Sequence, residues 1–152
     1  MQTLRSTGIV GNWPLNAANV SLPTASDVSR NHNDGTLTNA VLAADGRSMV
    51  FAGADYITIP NANKYKFSNA MSAGGWIRKN DLSGLETIVS KYMSGGDERE
   101  WFILVEDQKI ACSFGDPNDG TFQGTWTSDG NVITATGIFY KAEFTFNAGT
   151  VI

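Results

Sequence analysis

Several short stretches of the chain place an apolar residue at every second position. Ile57 and Ile59 flank a threonine, and further along Ile110, Cys112 and Phe114 recur with the same spacing. Because successive side chains of a strand point to opposite faces, this period of two predicts half-buried strands. The predicted strands are Ile9–Leu15, Ser48–Ala52, Asp55–Pro60, Met71–Lys79, Glu86–Tyr92, Glu100–Glu106, Lys109–Phe114, Gly120–Thr127 and Gly137–Phe146.

Turn-forming residues separate these stretches. Sixteen glycines are spread along the chain, Glu106–Lys109 has the length of a hairpin loop, and Ser128–Asn131 carries the Asp-Gly pair that favours a second hairpin. Asn39–Asp45 is too short for a helix and is predicted to be a loop with a turn. Nine strands exceed one small sheet, so we expect an all-β fold in which two antiparallel sheets form a sandwich, as a single domain over 1–152.

Composition narrows the class of protein. A chain of 152 residues with 41% hydrophobic side chains can bury a core without disulfides or metal ions. The single cysteine, Cys112, lies on the apolar face of its strand and is predicted to be a small buried hydrophobe. The formal net charge of −4 and the absence of a basic stripe argue against nucleic acid as a partner.

The sequence shows no signal for a membrane span or a secretory leader. The longest apolar runs cover four or five residues, as in Trp101–Val105, far fewer than a spanning helix needs. Met1–Gly8 lacks the apolar core of a signal peptide, which predicts a protein held in the cytoplasm until release or a chain whose leader was removed.

Five landmarks follow one another in a particular order. They are Gly11–Leu15, Asp27–Leu37, Met49–Pro60, Met71–Ile77 and Thr87–Lys91. This series resembles the laminin G-like, concanavalin A-like family of jelly-roll modules. The resemblance implies an all-β, antiparallel two-sheet jelly-roll β-sandwich. In that fold Trp13 and Trp76 would fill the core from facing sheets. Gly35 and Gly53 would allow tight turns, and Pro60 would end a strand by withholding its N–H.

The end of the chain departs from the family pattern. Phe139–Asn147 stands where family members carry a tryptophan-containing strand, and no Asp-Gly hairpin or final acidic strand follows before Ile152. A jelly roll without these elements would expose strand edges, which invite pairing with another chain. We therefore expect either a longer protein or a homo-oligomer or larger assembly that completes this edge.

Oxygen-bearing side chains are concentrated in the loop around His32. Such a loop can wrap a hard cation such as calcium, and the resemblance also implies a structural calcium close to this segment. The alternative is an Asx-rich turn whose side chains bond their own backbone. The candidate calcium ligands are Asp27, Asn31, Asn33 and Asp34.

The sequence contains little evidence for a catalytic site. His32 is the only histidine, and no Gly-x-Ser-x-Gly motif accompanies it, so it is predicted to be an exposed loop residue. Asp97–Glu100 is the densest charge cluster, but it follows a Ser-Gly-Gly segment and does not match the spaced carboxylates of a glycosidase strand. It is predicted to be a solvated loop, and the protein is predicted not to be an enzyme.

Binding is the favoured class of function. Aromatic rings stack on the apolar faces of sugars, while amide and carboxylate groups read the hydroxyls. The sequence therefore predicts a recognition or adhesion module that contacts carbohydrate or another protein through loops at one rim. The candidate ligand-binding residues are Tyr92, Trp101, Asn118, Asp119, Phe122, Gln123 and Trp126.

Two other hypotheses remain open. The first is a structural subunit of a virion, such as a capsid decoration or fibre protein, and the second is a glycoside hydrolase. The corresponding location would be a virion surface or, if a leader was removed, the extracellular space.

Overall fold

The computed structural model describes residues 8–66, 70–92, 99–115, 122–147 and 150–151, with the backbone alone at 99, 122, 123, 147, 150 and 151. These residues form thirteen strands and one short 3-10 helix, Asn63–Tyr65. The chain divides into two compact units, unit 1 (Met1–Tyr65) and unit 2 (Lys66–Ile152). The fold is all-β with antiparallel sheets, as predicted. The jelly-roll topology and the single domain over 1–152 stay predictions.

Unit 1 is built from very short strands. They are β1 (Val20–Ser21), β2 (Thr24–Ala25), β3 (Gly35–Thr38), β4 (Val41–Leu42), β5 (Met49–Val50) and β6 (Tyr56–Thr58). Four of them form an antiparallel sheet in the order β1-β2-β3-β6, and β4 pairs with β5. Val20, Ala25, Leu37 and Ala40 form its buried core, which Ile57 and neighbouring apolar residues surround.

Unit 2 contains the long strands that the alternating pattern predicts. They are β7 (Ala70–Ile77), β8 (Leu85–Tyr92), β9 (Arg99–Glu106), β10 (Lys109–Gly115), β11 (Phe122–Thr127), β12 (Tyr140–Asn147) and β13 (Thr150–Val151). One sheet has the order β11-β10-β9-β8 and the other the order β13-β12-β7.

The two sheets of unit 2 share one apolar core, so this unit is a β-sandwich. The ring of Phe114 in β10 lies 5.1 Å from that of Phe144 in β12, edge to face, and Trp101 in β9 packs against the same Phe144. Cys112 is buried in this core, as predicted, and burial raises the pKa of its thiol. Because the inward residues alternate along each strand, every second side chain must point away from the core.

A buried lysine holds one end of the four-stranded sheet. The ammonium group of Lys79 donates to the carbonyls of Ser83 (2.9 Å) and Asp107 (3.2 Å) and to the carboxylate of Glu86 (2.6 Å). These three acceptors use all three of its N–H donors. Lys79 thereby ties the segment after β7 to the turn between β9 and β10, where the predicted hairpin is confirmed.

Three local predictions are wrong. Ile9–Leu15 is not a strand, because its backbone bonds to side chains: the N–H of Asn12 donates to Asp27, and Asn31 donates to the carbonyl of Val10. Asn39–Asp45 is not only a loop, because it contains β4.

The predicted hairpin at Ser128–Asn131 is also absent. The N–H groups of Val132 and Ile133 donate to the carbonyl of Gln108, so the chain leaves the sheet there. The next strand, β12, belongs to the other sheet.

Some of the predictions for the landmark residues are confirmed and others are wrong. Gly53 has a positive φ of 58°, as a tight turn requires, and Pro60 follows the end of β6. Gly35 does not form a turn. It lies in β3, where a Cβ would come within 2.5 Å of the side chain of Ile57. Trp76 was expected in the core and is instead 68% exposed.

Gly74 and Gly75 in β7 offer a matched test of the sandwich. A Cβ on Gly74 would lie 2.2 Å from the carbonyl oxygen of Ala142 in β12, whereas a Cβ on Gly75 would meet nothing within 4 Å. We expect Gly74→Ala to lower the free energy of unfolding by about 1–3 kcal/mol and Gly75→Ala to change it by less than about 0.5 kcal/mol. Urea denaturation measures both. Equal stability of the two variants would contradict the pairing of β7 with β12.

Candidate functional site

The carboxylate of Asp27 is the centre of a hydrogen-bond network in unit 1. Oδ1 accepts from the backbone N–H groups of Asn12 (2.9 Å) and Ser29 (2.8 Å), and Oδ2 accepts from the hydroxyl of Ser29 (2.9 Å) and the N–H of Asn33 (2.9 Å). The N–H of Asp27 itself donates to Asp34 (2.8 Å). The residue is only 2% exposed. Four donors thus balance one buried negative charge. The bond from the backbone N–H of Ser29 to Oδ1 is that of an Asx-turn.

These bonds also set the ionisation of Asp27. Desolvation by burial is the largest single influence and raises its pKa, but the donors on Asn12, Asn33 and Ser29 together outweigh it. The pKa of Asp27 therefore lies below its usual value. The carboxylate is charged at neutral pH and acts as an acceptor only.

Asn33 carries the network to two aromatic residues. Its side-chain amide donates to the hydroxyl of Tyr65 (2.7 Å) and to the backbone carbonyl of Pro60 (3.1 Å). Its backbone carbonyl accepts from the indole N–H of Trp13 (3.0 Å). The rings of Trp13 and Tyr65 are 6.4 Å apart. Burial raises the pKa of Tyr65. Through Asn33, the loop is hydrogen-bonded both to Trp13, near the first described residues, and to Tyr65, the last residue of unit 1.

The hydrogen bonds of Asp27 favour the Asx-turn alternative over a calcium site. Both oxygens already accept two hydrogen bonds each, which uses the lone pairs that a cation would need. Within the described residues, no group of three or more His, Cys, Asp or Glu side chains is placed to hold a metal ion. Calcium binding through Asp27, Asn31, Asn33 and Asp34 stays a prediction. His32 is exposed, as expected.

A second candidate site lies on the outer face of the three-stranded sheet in unit 2. In β7 and β12, three cross-strand pairs lie side by side: Trp76 with Lys141, Gly74 with Glu143, and Ser72 with Thr145. Five of these residues are exposed, and Thr145 is half-buried. We call these six residues the Trp76 face.

The Trp76 face combines one large aromatic ring with polar neighbours. Lys141 forms an ion pair with Glu143, and the hydroxyls of Ser72 and Thr145 are 2.9 Å apart. Ser72 and Trp76 are four residues apart, so the face extends roughly 13 Å along the strand. A shallow depression of about 280 Å³ lies at its Ser72 end and is lined by Ala70, Met71, Ser72, Thr145 and Phe146.

Two further residues extend this surface beyond Trp76. Phe139 precedes β12, is 44% exposed, and its ring centroid lies 5.2 Å from the guanidinium carbon of Arg78. Arg78 follows Trp76 by two residues and is also exposed. An exposed cation–π pair of this kind contributes about 0.5–1 kcal/mol.

The three predicted ligand-binding residues whose side chains are described, Tyr92, Trp101 and Trp126, are not brought together. Trp101 is 8% exposed and belongs to the core, so it presents little surface to a ligand, and its role in binding stays a prediction. Trp126, 40% exposed, lies in β11, and Tyr92 lies in β8, at the opposite edge of the four-stranded sheet.

The structure does not describe the side chains of the other four candidate ligand-binding residues. Asn118 and Asp119 lie outside the described residues, as do the side chains of Phe122 and Gln123.

Glu100 differs from the solvated loop residue that was predicted. It lies in β9 and is buried, and its Oε1 accepts from the ammonium of Lys91, with Lys66 3.8 Å away. Its Oε2 has no hydrogen-bond partner among the described residues. Asp97 and Glu98 lie outside the described residues, and the absence of enzymatic activity stays a prediction.

Sequence reasoning missed the Trp76 face because tryptophan was assigned to the core by type. The alternation of apolar and polar residues around Trp76 instead indicates an outward position. Trp76 shares its parity with Ser72, whereas the apolar Met71, Ala73 and Ile77 occupy the other parity. A strand buries only one of these sets.

Comparisons with known proteins add no relative to this picture. No protein-family model, no curated protein and no solved structure matches the chain. Among the described residues there is no helix with the length and apolar character to cross a membrane. The geometry of the Trp76 face is therefore the basis for the function.

Substituting Asp27 tests the buried network. We expect Asp27→Asn to lower the free energy of unfolding at pH 7 by about 2–3 kcal/mol, because an amide cannot accept all four bonds. Asp34→Asn is the matched control, since one amide oxygen can still accept the N–H of Asp27. We expect the control to cost less than about 0.5 kcal/mol, as measured by urea denaturation.

The pH dependence gives an independent measurement. A carboxylate whose pKa is lower in the folded than in the unfolded state stabilises the protein above the unfolded value, about 3.9, and this contribution is lost as the pH falls through the folded pKa. The difference in stability between the native protein and Asp27→Asn should therefore shrink below about pH 4. A difference that stays constant down to pH 2 would contradict the assigned charge of Asp27.

Proposed function

We propose that the protein is a non-catalytic recognition module that binds carbohydrate on the Trp76 face. The observation that carries this proposal is the exposure of Trp76, whose indole is 68% accessible on the outer face of a paired sheet. Exposing so much apolar area forgoes the stabilisation that burial would provide, and a ligand that stacks on the ring would recover part of it.

The neighbours of Trp76 favour a sugar as that partner. Sugar rings present an apolar face that stacks on an indole, and their hydroxyls exchange hydrogen bonds with polar groups. Ser72 and Thr145 supply hydroxyls, and Lys141 and Glu143 supply a donor and an acceptor on the same face. Both kinds of contact are thus available to one ligand.

A protein partner is the less favoured occupant. The centre of a protein interface is depleted of charge and gathers several large apolar residues. On the Trp76 face a single tryptophan is bordered by a Lys–Glu ion pair and two hydroxyls. This composition supports a polar ligand with one apolar face.

The proposal keeps the class of function expected from the laminin G-like resemblance but changes its location. The sequence predicted loops at one rim, whereas the Trp76 face lies on strands. Recognition of protein, a structural role in a virion and glycoside hydrolysis stay predictions.

Replacing Trp76 tests the proposal directly. We expect Trp76→Ala to weaken binding to linear polysaccharides at least about tenfold, equivalent to roughly 1.4 kcal/mol of stacking. Because the indole is exposed, the melting temperature should hardly change. Affinity electrophoresis of the purified protein through gels containing neutral or acidic polysaccharides measures the binding.

Trp126→Ala is the matched control. Trp126 is also partly exposed, but it lies in the other sheet and contacts Phe114. We expect this variant to lose some stability and to keep its affinity. If Trp126→Ala weakens binding and Trp76→Ala does not, the proposed site is wrong. If no polysaccharide binds and Trp76→Ala instead dissociates a dimer, the face is a protein interface.

A further inference from the structure

The cation beside the Trp76 face is not neutralised within the described residues. Arg78 contacts the ring of Phe139 and forms no ion pair with a described carboxylate. Four other cations of unit 2 are paired: Lys66 and Lys91 with Glu100, Lys79 with Glu86, and Lys141 with Glu143. Lys109, like Arg78, forms no ion pair with a described carboxylate.

The position of Arg78 places its charge next to the exposed indole. Arg78 is two residues beyond Trp76, and Phe139 is two residues before Lys141, the cross-strand partner of Trp76. The ring of Phe139 is held 5.2 Å from the guanidinium carbon. This contact restricts the arginine at little cost, and its planar N–H groups remain able to bind a ligand.

The charges on this surface sum to one positive charge. Lys141 and Glu143 cancel each other as an ion pair, which leaves the guanidinium of Arg78. A guanidinium offers two parallel N–H donors, a geometry that matches the paired oxygens of a carboxylate or a sulfate ester. The group that complements the surface at this end is therefore an anion.

The shape of the surface favours an extended ligand. Gly74 lies between Trp76 and Ser72 and carries no side chain, so nothing projects from β7 between the indole and the hydroxyl pair. The shallow depression continues the surface at the Ser72 end. A chain of sugars lying along β7 can therefore pass from the indole to the hydroxyl pair, with the side chains of Lys141 and Glu143 from β12 along one side.

Together these observations specify the ligand more closely. We propose that the ligand of the Trp76 face is a linear acidic polysaccharide, in which one sugar stacks on Trp76 and the anionic group of a neighbouring sugar pairs with Arg78. This inference rests on the proposed function, because it names the class of carbohydrate that the same face binds. Stacking supplies general affinity for sugars, and Arg78 supplies the preference for negative charge.

Three probes distinguish the possible ligands. They are a neutral β-glucan, hyaluronan, which carries carboxylates, and chondroitin sulfate, which carries carboxylates and sulfates. We expect the native protein to bind both acidic chains about fivefold more tightly than the neutral one, the size expected for one exposed ion pair. Equal affinity for the two acidic chains would assign the recognised group to the carboxylate, and tighter binding of chondroitin sulfate would assign it to the sulfate.

Variants separate the charge from the stacking. We expect Arg78→Gln to remove the preference for acidic chains while keeping the affinity for the neutral glucan. The melting temperature should fall by at most a few degrees, because only the exposed contact with Phe139 is lost. Arg47→Gln, which removes the same charge from an exposed position in unit 1, should keep the preference. Raising sodium chloride from about 50 mM to about 500 mM should reduce the preference of the native protein through screening.

The outcomes that overturn the inference differ from those that overturn the proposed function. If the native protein binds neutral and acidic chains equally, or if Arg78→Gln keeps the preference, the acidic ligand is wrong while a loss of binding in Trp76→Ala still supports the carbohydrate site. If no chain binds, both proposals are wrong.

Discussion

The pairing of β7 with β12 over a shared apolar core is the constraint on which the candidate site depends. Phe144 packs against Phe114 and Trp101 of the opposite sheet, and Met71 joins the same core. Because side chains alternate along a strand, burying Met71 turns Trp76 outward, and the register then places Lys141 beside it. A shift of one residue would bury the tryptophan and expose the methionine. The composition of the Trp76 face therefore follows from the packing on its other side.

Unit 1 reaches a stable arrangement by a different route. Its strands are two to four residues long, too short to satisfy most of the backbone by sheet pairing. Side chains supply part of what is missing, as when Asp27 accepts from Asn12 and Asn33, and Asn31 donates to the carbonyl of Val10. A buried carboxylate would be costly without such donors, so the loop and the segment that supplies them stabilise each other.

The long strands could be predicted from the sequence, whereas much of unit 1 could not. Both outcomes have a physical cause. Strands β7, β9 and β12 pack alternate residues against the shared core, which imposes a period of two on their sequences. The two-residue strands are too short to carry such a period. Asp27 was recognised as an oxygen-rich position, but the pattern does not distinguish a carboxylate that holds a cation from one that holds backbone N–H groups. Trp101 and Tyr92 were grouped by their proximity to polar loops in sequence, whereas the core and the strand order decide which rings reach a surface.

The central claim is that ligand binding occurs on strands of unit 2 and involves the exposed indole of Trp76. An NMR titration of ¹⁵N-labelled protein with a hyaluronan oligosaccharide tests this most directly, because it reports every amide and each of the four indole N–H groups at once. We expect the largest shifts at the indole of Trp76 and at the amides of 72–78 and 139–145. Shifts confined to the loop around Asp27, or to the indole of Trp126, would contradict the account.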